Sequence, residues 1–230
     1  MHGRRNLVKV DLGSGNRGIE GWINIDIGLK YYAYKFLPLL SFLSKINLIS
    51  IDTVNWIKDT GRPPPNWKKR DIRKKLPFKD NSVDFVYMSE VIEHFYFWEA
   101  VNILKEIHRI LKPGGVLRIT TPDIKKICQA YLSNEIDSFE FNSFFYPSYH
   151  YKKPNIIEKI GAKIYNTRYH LWLYDFATLK HILESLNFIN IVELEPLKGK
   201  TPDLDKLENY DYSSDKMRLR SMYIEAEKPI

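Results

Sequence analysis

The stretch LVKVDLGSG, residues 7–15, contains the pattern that decides the fold. Its first six residues are mostly apolar and β-branched, and the run ends abruptly at Gly13, which is typical of a buried strand that meets a turn. Gly13 and Gly15 let the backbone turn tightly and approach a ligand closely. Because ligands of open α/β sheets bind beyond the carboxyl ends of the strands, we expect this turn to form the floor of a binding site.

Strands and helices alternate along the rest of the chain. A helix is predicted from about Phe97 to Leu111 because apolar residues recur on one face, and a later helix is predicted to begin at Asp175, a suitable N-cap. This alternation predicts an α/β fold with a mostly parallel sheet covered by helices on both faces. Two late strands without a helix between them predict an antiparallel pair at the C-terminal edge. Besides 7–12, the predicted strands are 22–27, 83–88, 116–121, 189–195 and 221–227.

Two segments do not fit this core. Residues 29–70 and 133–168 are predicted insertions in a single domain that spans 1–230, and loops of this length are usually functional. The window 28–75 contains eleven lysines and arginines against three acids, a net charge of +8 in a chain of net charge +7. The stretch 139–172 is rich in Phe and Tyr. We expect the insertions to form a substrate or lid region in which the basic window attracts an acidic partner.

The composition and the single cysteine exclude several other classes of protein. With 44% apolar residues the chain is not expected to be disordered, and Cys128 alone cannot form an internal disulfide. The first residues lack the apolar segment of a secretory signal, so we expect a cytoplasmic location. The longest apolar stretch, Phe36 to Ile51, has 16 residues, fewer than the ~20 that cross a bilayer, which leaves peripheral contact with the inner membrane surface open. No His/Cys cluster has the spacing of a zinc site, so the sequence assigns no metal ligand.

The string GSGNRG, residues 13–18, also matches the dinucleotide-binding fingerprint, so a nicotinamide enzyme is an alternative. The next acid, Asp26, lies only eleven residues beyond Gly15, too few for a full crossover helix followed by a strand. A dinucleotide needs the N-terminus of that helix for its pyrophosphate, whereas a cofactor without phosphate does not. Asp26 is expected to end the second strand, where it could accept hydrogen bonds from a ribose diol.

Six motifs follow one another between residues 7 and 123. In combination they resemble the class I S-adenosylmethionine-dependent methyltransferases of the type 11 group, which implies a Rossmann-like seven-stranded sheet and S-adenosyl-L-methionine as the cofactor. Three further stretches, GWINID, HLWLYDFATL and PDLDKLEN, resemble a bacterial and archaeal subgroup that is often linked to surface-glycan synthesis. The six motifs are DLGSG, NID, DI followed by LPF, DNSVDFVY, EVIEH and LKPGG.

The resemblance also implies roles for individual residues. The turn after the first strand would wrap the methionine part of the cofactor, and the acid after the second strand would bind the ribose hydroxyls. Asp71 and Ile72 would flank the adenine, while Ser89 and Glu90 would line the floor near the sulfonium. The implied cofactor-binding residues are Asp11, Gly13, Ser14, Gly15, Asp26, Asp71, Ile72, Ser89 and Glu90.

Methyl transfer to a hydroxyl requires a group that takes the hydroxyl proton, and histidine suits this role because its ordinary pKa lies near neutrality. His94 and His170 are therefore the predicted catalytic residues, and the sequence also allows a purely structural role for His94 in a helix. Further candidates for the base are His150, Tyr174 and Asp175.

The acceptor is expected to be a hydroxyl of a small molecule or glycan, of an acidic or lipid-linked kind, because aromatic faces stack on sugars and the basic window attracts anions. One alternative is an RNA or protein methyltransferase in which the basic window binds a polyanion such as nucleic acid. The other is a non-catalytic module that binds the cofactor without turnover. The sequence leaves the oligomeric state open.

Overall fold

A seven-stranded sheet runs through the centre of the described chain. The computed structural model describes residues 7–146, 169–209 and 220–230. The strand order is β3-β2-β1-β4-β5-β7-β6, with parallel pairing from β3 to β5, and β7 antiparallel to both of its neighbours. The strands are β1 (Lys9–Leu12), β2 (Ile23–Asp26), β3 (Trp67–Lys69), β4 (Val83–Ser89), β5 (Leu111–Pro122), β6 (Ile189–Leu194) and β7 (Ser221–Glu227).

The order of the strands reverses between β1 and β4. The chain proceeds outward from β1 to β2 and β3, and then returns to the other side of β1 to add β4 and β5. In open α/β sheets such a reversal opens a crevice at the carboxyl ends of the two strands that flank it. The topology therefore positions a binding site where β1 and β4 end.

Helices cover both faces of the sheet. Val86 and Met88 of β4 lie in the large core cluster with residues of α4 and α7, whereas Tyr87, which points to the opposite face, packs with Trp22 and Leu207. The helices are α1 (Leu29–Lys35), α2 (Leu37–Lys45), α3 (Ile51–Thr60), α4 (Phe97–Ile110), α5 (Ile124–Leu132), α6 (Ser138–Ser143), α7 (Phe176–Ser185) and α8 (Leu204–Leu207), together with a 3₁₀ helix at Ile92–His94.

Helices α4 and α7 form for the reasons that the sequence suggests. The apolar face of α4 is buried, and the backbone N–H of Tyr96 donates to the Glu99 carboxylate at 3.2 Å, which satisfies a donor at the helix start. Asp175 caps α7 by accepting from the backbone N–H of Thr178 at 2.8 Å. Each fully buried Leu or Ile on these faces stabilises the fold by about 1.5–3 kcal/mol.

The predicted fold class is confirmed, with the mostly parallel sheet, the antiparallel C-terminal strands and all six predicted strands present. One local prediction was wrong. The segment 29–70 was expected to lie outside the core, yet it supplies β3 at the sheet edge, a strand of only three residues that includes two exposed lysines. Helix α4 ends at Ile110, one residue from its predicted end, and β5 begins at Leu111.

The rest of the two predicted insertions consists, where it is described, of short helices joined by turns and loops. The first contains α1, α2 and α3, and the second contains α6, which ends before residues 147–168 that lie outside the described residues. Within the described part of the chain, no helix is long and apolar enough to cross a bilayer.

A buried ion pair ties the C-terminal region to the sheet. The Arg118 side chain on β5 donates to both carboxylate oxygens of Glu208, at 2.8 and 3.0 Å, and both side chains are fully buried. The Arg118 guanidinium also donates to the backbone carbonyl of Lys198 at 2.9 Å. Because a buried charge without a partner is costly, this pair fixes the end of α8 against the sheet.

Candidate active site

The turn after β1 can be formed only by small residues. Gly13 and Gly15 have φ values of +75° and +54°, a region that residues with a Cβ rarely adopt. A Cβ at Gly13 would lie 2.4 Å from a methyl carbon of Val91, which follows β4. The backbone N–H of Gly13 donates to the Ile25 carbonyl at 2.8 Å, which holds the turn against the end of β2. The turn thus lies at the crevice between β1 and β4, as predicted.

Asp26 holds the glycine turn and the start of α1 together. One carboxylate oxygen accepts from the backbone N–H of Gly15 at 3.1 Å, and the other accepts from that of Gly28 at 2.6 Å. Each oxygen has a second lone pair that a ribose hydroxyl could use. The geometry is therefore compatible with the predicted role in binding the ribose.

Tyr31 on α1 is a residue of the site that sequence reasoning missed. Its hydroxyl donates to the Gly15 carbonyl, and its ring packs edge-on against Trp67 with centroids 4.8 Å apart. Burial, together with Asp26 and Asp11, raises the pKa of Tyr31 well above its usual value. No helix separates β1 from β2, so α1 takes the position that covers the turn. A tyrosine five residues after Asp26 carries no spacing signal that would have revealed this contact.

Two buried polar groups face the same region. Burial, and secondarily the nearby Asp26 carboxylate, raises the pKa of Asp11 to about 8, so its carboxyl is mostly protonated at neutral pH. The Ser14 hydroxyl is buried and makes no hydrogen bond with any described residue. A buried hydroxyl without a partner is costly unless a ligand satisfies it. Both groups fit a polar, cationic ligand such as the methionine part of the predicted cofactor.

Asp71 and Ile72 follow β3, beside the end of β2. The Arg73 guanidinium donates to both Asp71 oxygens, at 2.9 and 2.8 Å, and holds the pKa of that carboxyl below its usual value. The Ile72 side chain is buried. The backbone N–H of Arg70 donates to the Asp26 carbonyl at 3.2 Å, so the predicted ribose and adenine residues lie on neighbouring strand ends. The role of Asp71 toward the adenine stays a prediction.

Ser89 is the last residue of β4, and Glu90 follows it. The Ser89 hydroxyl accepts from the Thr120 hydroxyl at 2.5 Å, and the Glu90 carboxylate accepts from the Ser221 hydroxyl at 3.0 Å. Glu90 has a φ of +53°, which is uncommon for a residue with a side chain and often marks a functional position. This conformation turns the chain into the 3₁₀ helix that contains His94.

His94 and His170 lie together, although 75 residues separate them in sequence. Their ring centroids are 4.8 Å apart, and Nδ1 of His94 donates to the backbone carbonyl of Tyr169 at 3.1 Å. Burial lowers the pKa of His94, and burial together with His94 lowers the pKa of His170 to about 3. Both imidazoles are therefore neutral at pH 7. His94 lies in the 3₁₀ helix that precedes α4.

Glu93 completes this group and was not among the predicted site residues. Its carboxylate is fully buried, accepts from the Thr121 hydroxyl at 3.0 Å, and lies 3.9 Å from Nε2 of His170. Its backbone carbonyl accepts from the N–H groups of Leu171 at 2.7 Å and Trp172 at 3.2 Å, which pins the segment that contains His170. The EVIEH motif could have indicated Glu93, but nothing in the spacing connects it to residue 170.

The remaining candidates for the base, Tyr174, Asp175 and His150, differ in their surroundings. Tyr174 lies beside Glu93. Burial, and secondarily the Glu93 carboxylate, raises the pKa of the Tyr174 hydroxyl above its usual value. That hydroxyl has no hydrogen-bond partner among the described residues. Asp175 instead caps α7, and its bond to Thr178 lowers the pKa of its carboxyl. His150 lies outside the described residues.

Comparisons with known proteins agree with this geometry. Residues 45–119 match a family model described as "Methyltransferase domain". A protein of Mycolicibacterium smegmatis named "Probable S-adenosylmethionine-dependent methyltransferase" is 43% identical over 49 residues, which are 21% of this chain and 18% of that protein. The chain thus spans less than a fifth of the length of the curated relative that it matches.

One solved structure shows a similar fold at low identity, and a second matches more weakly. The "possible exported protein" of Bordetella parapertussis is 12% identical, covers 99% of this chain and 63% of its own, and has a TM-score of 0.51. A "SAM dependent methyltransferase" of Archaeoglobus fulgidus is 15% identical over 96% of this chain and 86% of its own, with a TM-score of 0.46.

The fold and the site define an α/β protein with a polar crevice at the point where its strand order reverses. The sequence matches show that part of the chain is similar to methyltransferase domains of the S-adenosylmethionine-dependent kind. They agree with the predicted class and the predicted cofactor. The link to glycan synthesis and the roles of individual residues stay predictions.

Proposed function

We propose that this protein transfers the methyl group of S-adenosylmethionine to a hydroxyl of a small molecule or glycan. The observation that supports this most is the position of the group formed by Glu93, His94 and His170, because Glu93 and His94 lie in the 3₁₀ helix that follows β4. Val91, which would collide with any side chain at Gly13, lies two residues before Glu93. Groups that can hold a hydroxyl and its proton thus lie next to the turn that would hold the cofactor.

The bound cofactor supplies a methyl group on a positively charged sulfur, and transfer is an in-line displacement in which that charge is lost. The residues of the chain mainly align the reacting atoms, and such positioning can lower the barrier by roughly 7–11 kcal/mol. The glycine turn and Asp26 would hold the adenosyl part, while the histidine pair would orient the acceptor hydroxyl. Neutral imidazoles suit this role because each has a nitrogen lone pair that can accept a hydrogen bond.

Methyl-labelled S-adenosylmethionine tests the proposal directly. The protein is incubated with fractions of a host extract, and labelled products are tested for base-stable ether linkages. Wild-type protein should label a small molecule or glycan, and Asp26→Ala should lose most of that labelling. Asp59→Ala serves as the matched control, because Asp59 is an exposed acid on α3. Labelling of RNA or protein, or of nitrogen instead of oxygen, would contradict the proposed acceptor.

We also propose that α2 contacts a membrane surface, which would suit a lipid-linked acceptor. No residue of α2 is buried, and Phe36, Leu39, Phe42 and Ile46 are each more than half exposed. Lysines lie at both ends of this helix, at Lys35 and Lys45. An apolar helix face with flanking cations is typical of segments that lie in the interface of anionic membranes.

Sedimentation with anionic phospholipid vesicles tests the membrane contact. Wild-type protein should sediment with the vesicles, and a Leu39→Asp/Phe42→Asp variant should not. Leu132→Asp is the matched control, because Leu132 is an exposed apolar residue at the end of α5. Equal sedimentation of all three proteins would exclude α2 as the contact.

A further inference from the structure

Three metal-ligating side chains meet beside the proposed acceptor position. One ligand atom from each of Glu93, His94 and His170 lies within 4.8 Å of the other two. We propose that these residues bind a divalent transition-metal cation, which makes the enzyme a metal-assisted methyltransferase. The catalytic part of this inference rests on the proposed function, whereas the metal site itself does not.

The imidazole of His94 is already oriented as a metal ligand. Nδ1 of His94 donates to the Tyr169 carbonyl, so Nε2 carries the free lone pair. Metal-bound histidines almost always donate their second ring N–H to a carbonyl or carboxylate in this way. Glu93 is held similarly, because one of its oxygens accepts from the Thr121 hydroxyl at 3.0 Å.

His170 provides an independent observation. Its side chain is almost fully buried, and Nδ1 has no hydrogen-bond partner among the described residues. Its backbone N–H donates to the Phe145 carbonyl at 3.0 Å, which fixes the position of the residue. The neighbouring Tyr174 hydroxyl also lacks a partner among the described residues. Buried polar atoms without partners are uncommon in folded proteins, and the Tyr174 hydroxyl lies near the Glu93 carboxylate, where a bound ligand would satisfy it.

The separation of the three groups is close to that of a metal site. Ligand atoms at ~2.1 Å from a shared ion lie roughly 3–3.5 Å apart, so the group has to contract by little more than ~1 Å. The 3.9 Å between Nε2 of His170 and the Glu93 carboxylate is already close to this spacing. Rotation about the side-chain bonds of Glu93 and His94 supplies such a shift without backbone movement.

The donor set selects the class of metal. Two imidazoles and one carboxylate suit Zn²⁺, Co²⁺, Mn²⁺ or Fe²⁺, whereas Mg²⁺ and Ca²⁺ prefer oxygen ligands alone. Three protein ligands leave at least one position for water or substrate, as in catalytic sites.

The open position would bind the acceptor hydroxyl. A bound divalent metal lowers the pKa of a coordinated hydroxyl, so the O–H bond breaks and the proton passes to water. The oxygen then forms the O–CH₃ bond as the S–CH₃ bond breaks, and that electron pair stays on the sulfur, which becomes a neutral thioether. In this arrangement His94 and His170 are metal ligands rather than the proton acceptor.

Titration with Co²⁺ alone, in the absence of cofactor and acceptor, tests the site. Tag-free protein is first treated with a chelator, and binding is followed by the visible absorption that Co²⁺ gains with nitrogen ligands. We expect one ion per chain, with affinity lowered at least tenfold in Glu93→Gln and His170→Asn. Thr121→Val should weaken binding to a smaller degree. His181→Asn is the matched control, because His181 is an exposed histidine on α7.

The outcomes separate this inference from the proposed function. The absence of Co²⁺ absorption in folded wild-type protein, or equal affinity in all variants, would overturn the metal site. Full methyl transfer by chelated protein would overturn its catalytic role. Co²⁺ binding without hydroxyl methylation on any acceptor would support the metal site while refuting the proposed function. If Glu93→Gln does not fold, His94→Asn replaces it, because His94 is only partly buried.

Discussion

The structure predicts that ionisation of the buried Asp11 strongly lowers the stability of the fold, and replacing Asp11 with asparagine removes this effect. The pKa of Asp11 rises from 3.8 to about 8 in the folded protein, mainly through burial and secondarily through Asp26. As the pH rises, the Asp11 carboxyl therefore loses its proton at a lower pH in the unfolded chain than in the folded protein. The free energy of unfolding falls between about pH 4 and about pH 8 and then levels off. A shift of about four pKa units corresponds to at most about 5–6 kcal/mol at about 1.36 kcal/mol per unit.

In Asp11→Asn the free energy of unfolding should decrease much less as the pH rises, because asparagine resembles the protonated carboxyl and does not titrate. The free energy of unfolding is measured by urea denaturation of both proteins at pH 5, 7 and 9. We expect the variant to gain stability relative to wild type as the pH rises, by about 2 kcal/mol or more across this range. Parallel pH dependences of the two proteins would refute the assignment of a raised pKa to Asp11.

The same titration predicts proton release when the cofactor binds. A sulfonium and an ammonium group near Asp11 would favour its anionic form and so lower its pKa. Wild-type protein at pH 7 should therefore release close to one proton on binding, which appears in calorimetry as a dependence on the ionisation enthalpy of the buffer. Asp11→Asn should show no such dependence.

The other predictions concern single contacts. Gly13→Ala should lower the stability of the fold by about 1–2 kcal/mol because of its positive φ alone, and it should also weaken cofactor binding. Replacing the facing Val91 with alanine as well should restore part of the lost stability, as measured in thermal melts. Asp26→Ala should lower cofactor affinity roughly 10–100-fold in calorimetric titration without unfolding the protein, because two backbone N–H bonds and the ribose contact are lost. Glu208→Gln should lower the free energy of unfolding by about 3–5 kcal/mol, because it leaves the buried Arg118 charge without its charged partner. The double variant with Arg118→Met should recover part of this lost stability, and urea denaturation measures both.

Much of the fold could be predicted because its signals are local. The β-branched run of β1 followed by glycine, the apolar face of α4 and the N-cap at Asp175 each follow from neighbouring residues. Strand β3 could not be predicted, because three residues with two lysines lack an apolar pattern, and only pairing with β2 makes them a strand.

The position of a site residue was predictable only where that residue ends or directly follows a strand, whereas His94 and His170 were candidates by residue type alone. Asp26 and Ser89 end their strands, so the strand pattern places them at the carboxyl edge of the sheet. Tyr31 and His170 are brought to the site by the tertiary fold. No spacing in the sequence indicates that they lie there. Local patterns therefore indicate the cofactor side of the pocket better than the acceptor side.

The central claim is that the glycine turn and Asp26 hold an adenosyl cofactor at the end of β1. A crystal structure of the protein with S-adenosylhomocysteine tests it most directly. We expect the ribose hydroxyls within hydrogen-bond distance of the Asp26 carboxylate and the sulfur between Gly13 and the end of β4. A well-ordered structure in which the compound binds elsewhere, or in which side chains fill this crevice at saturating ligand, would contradict the account.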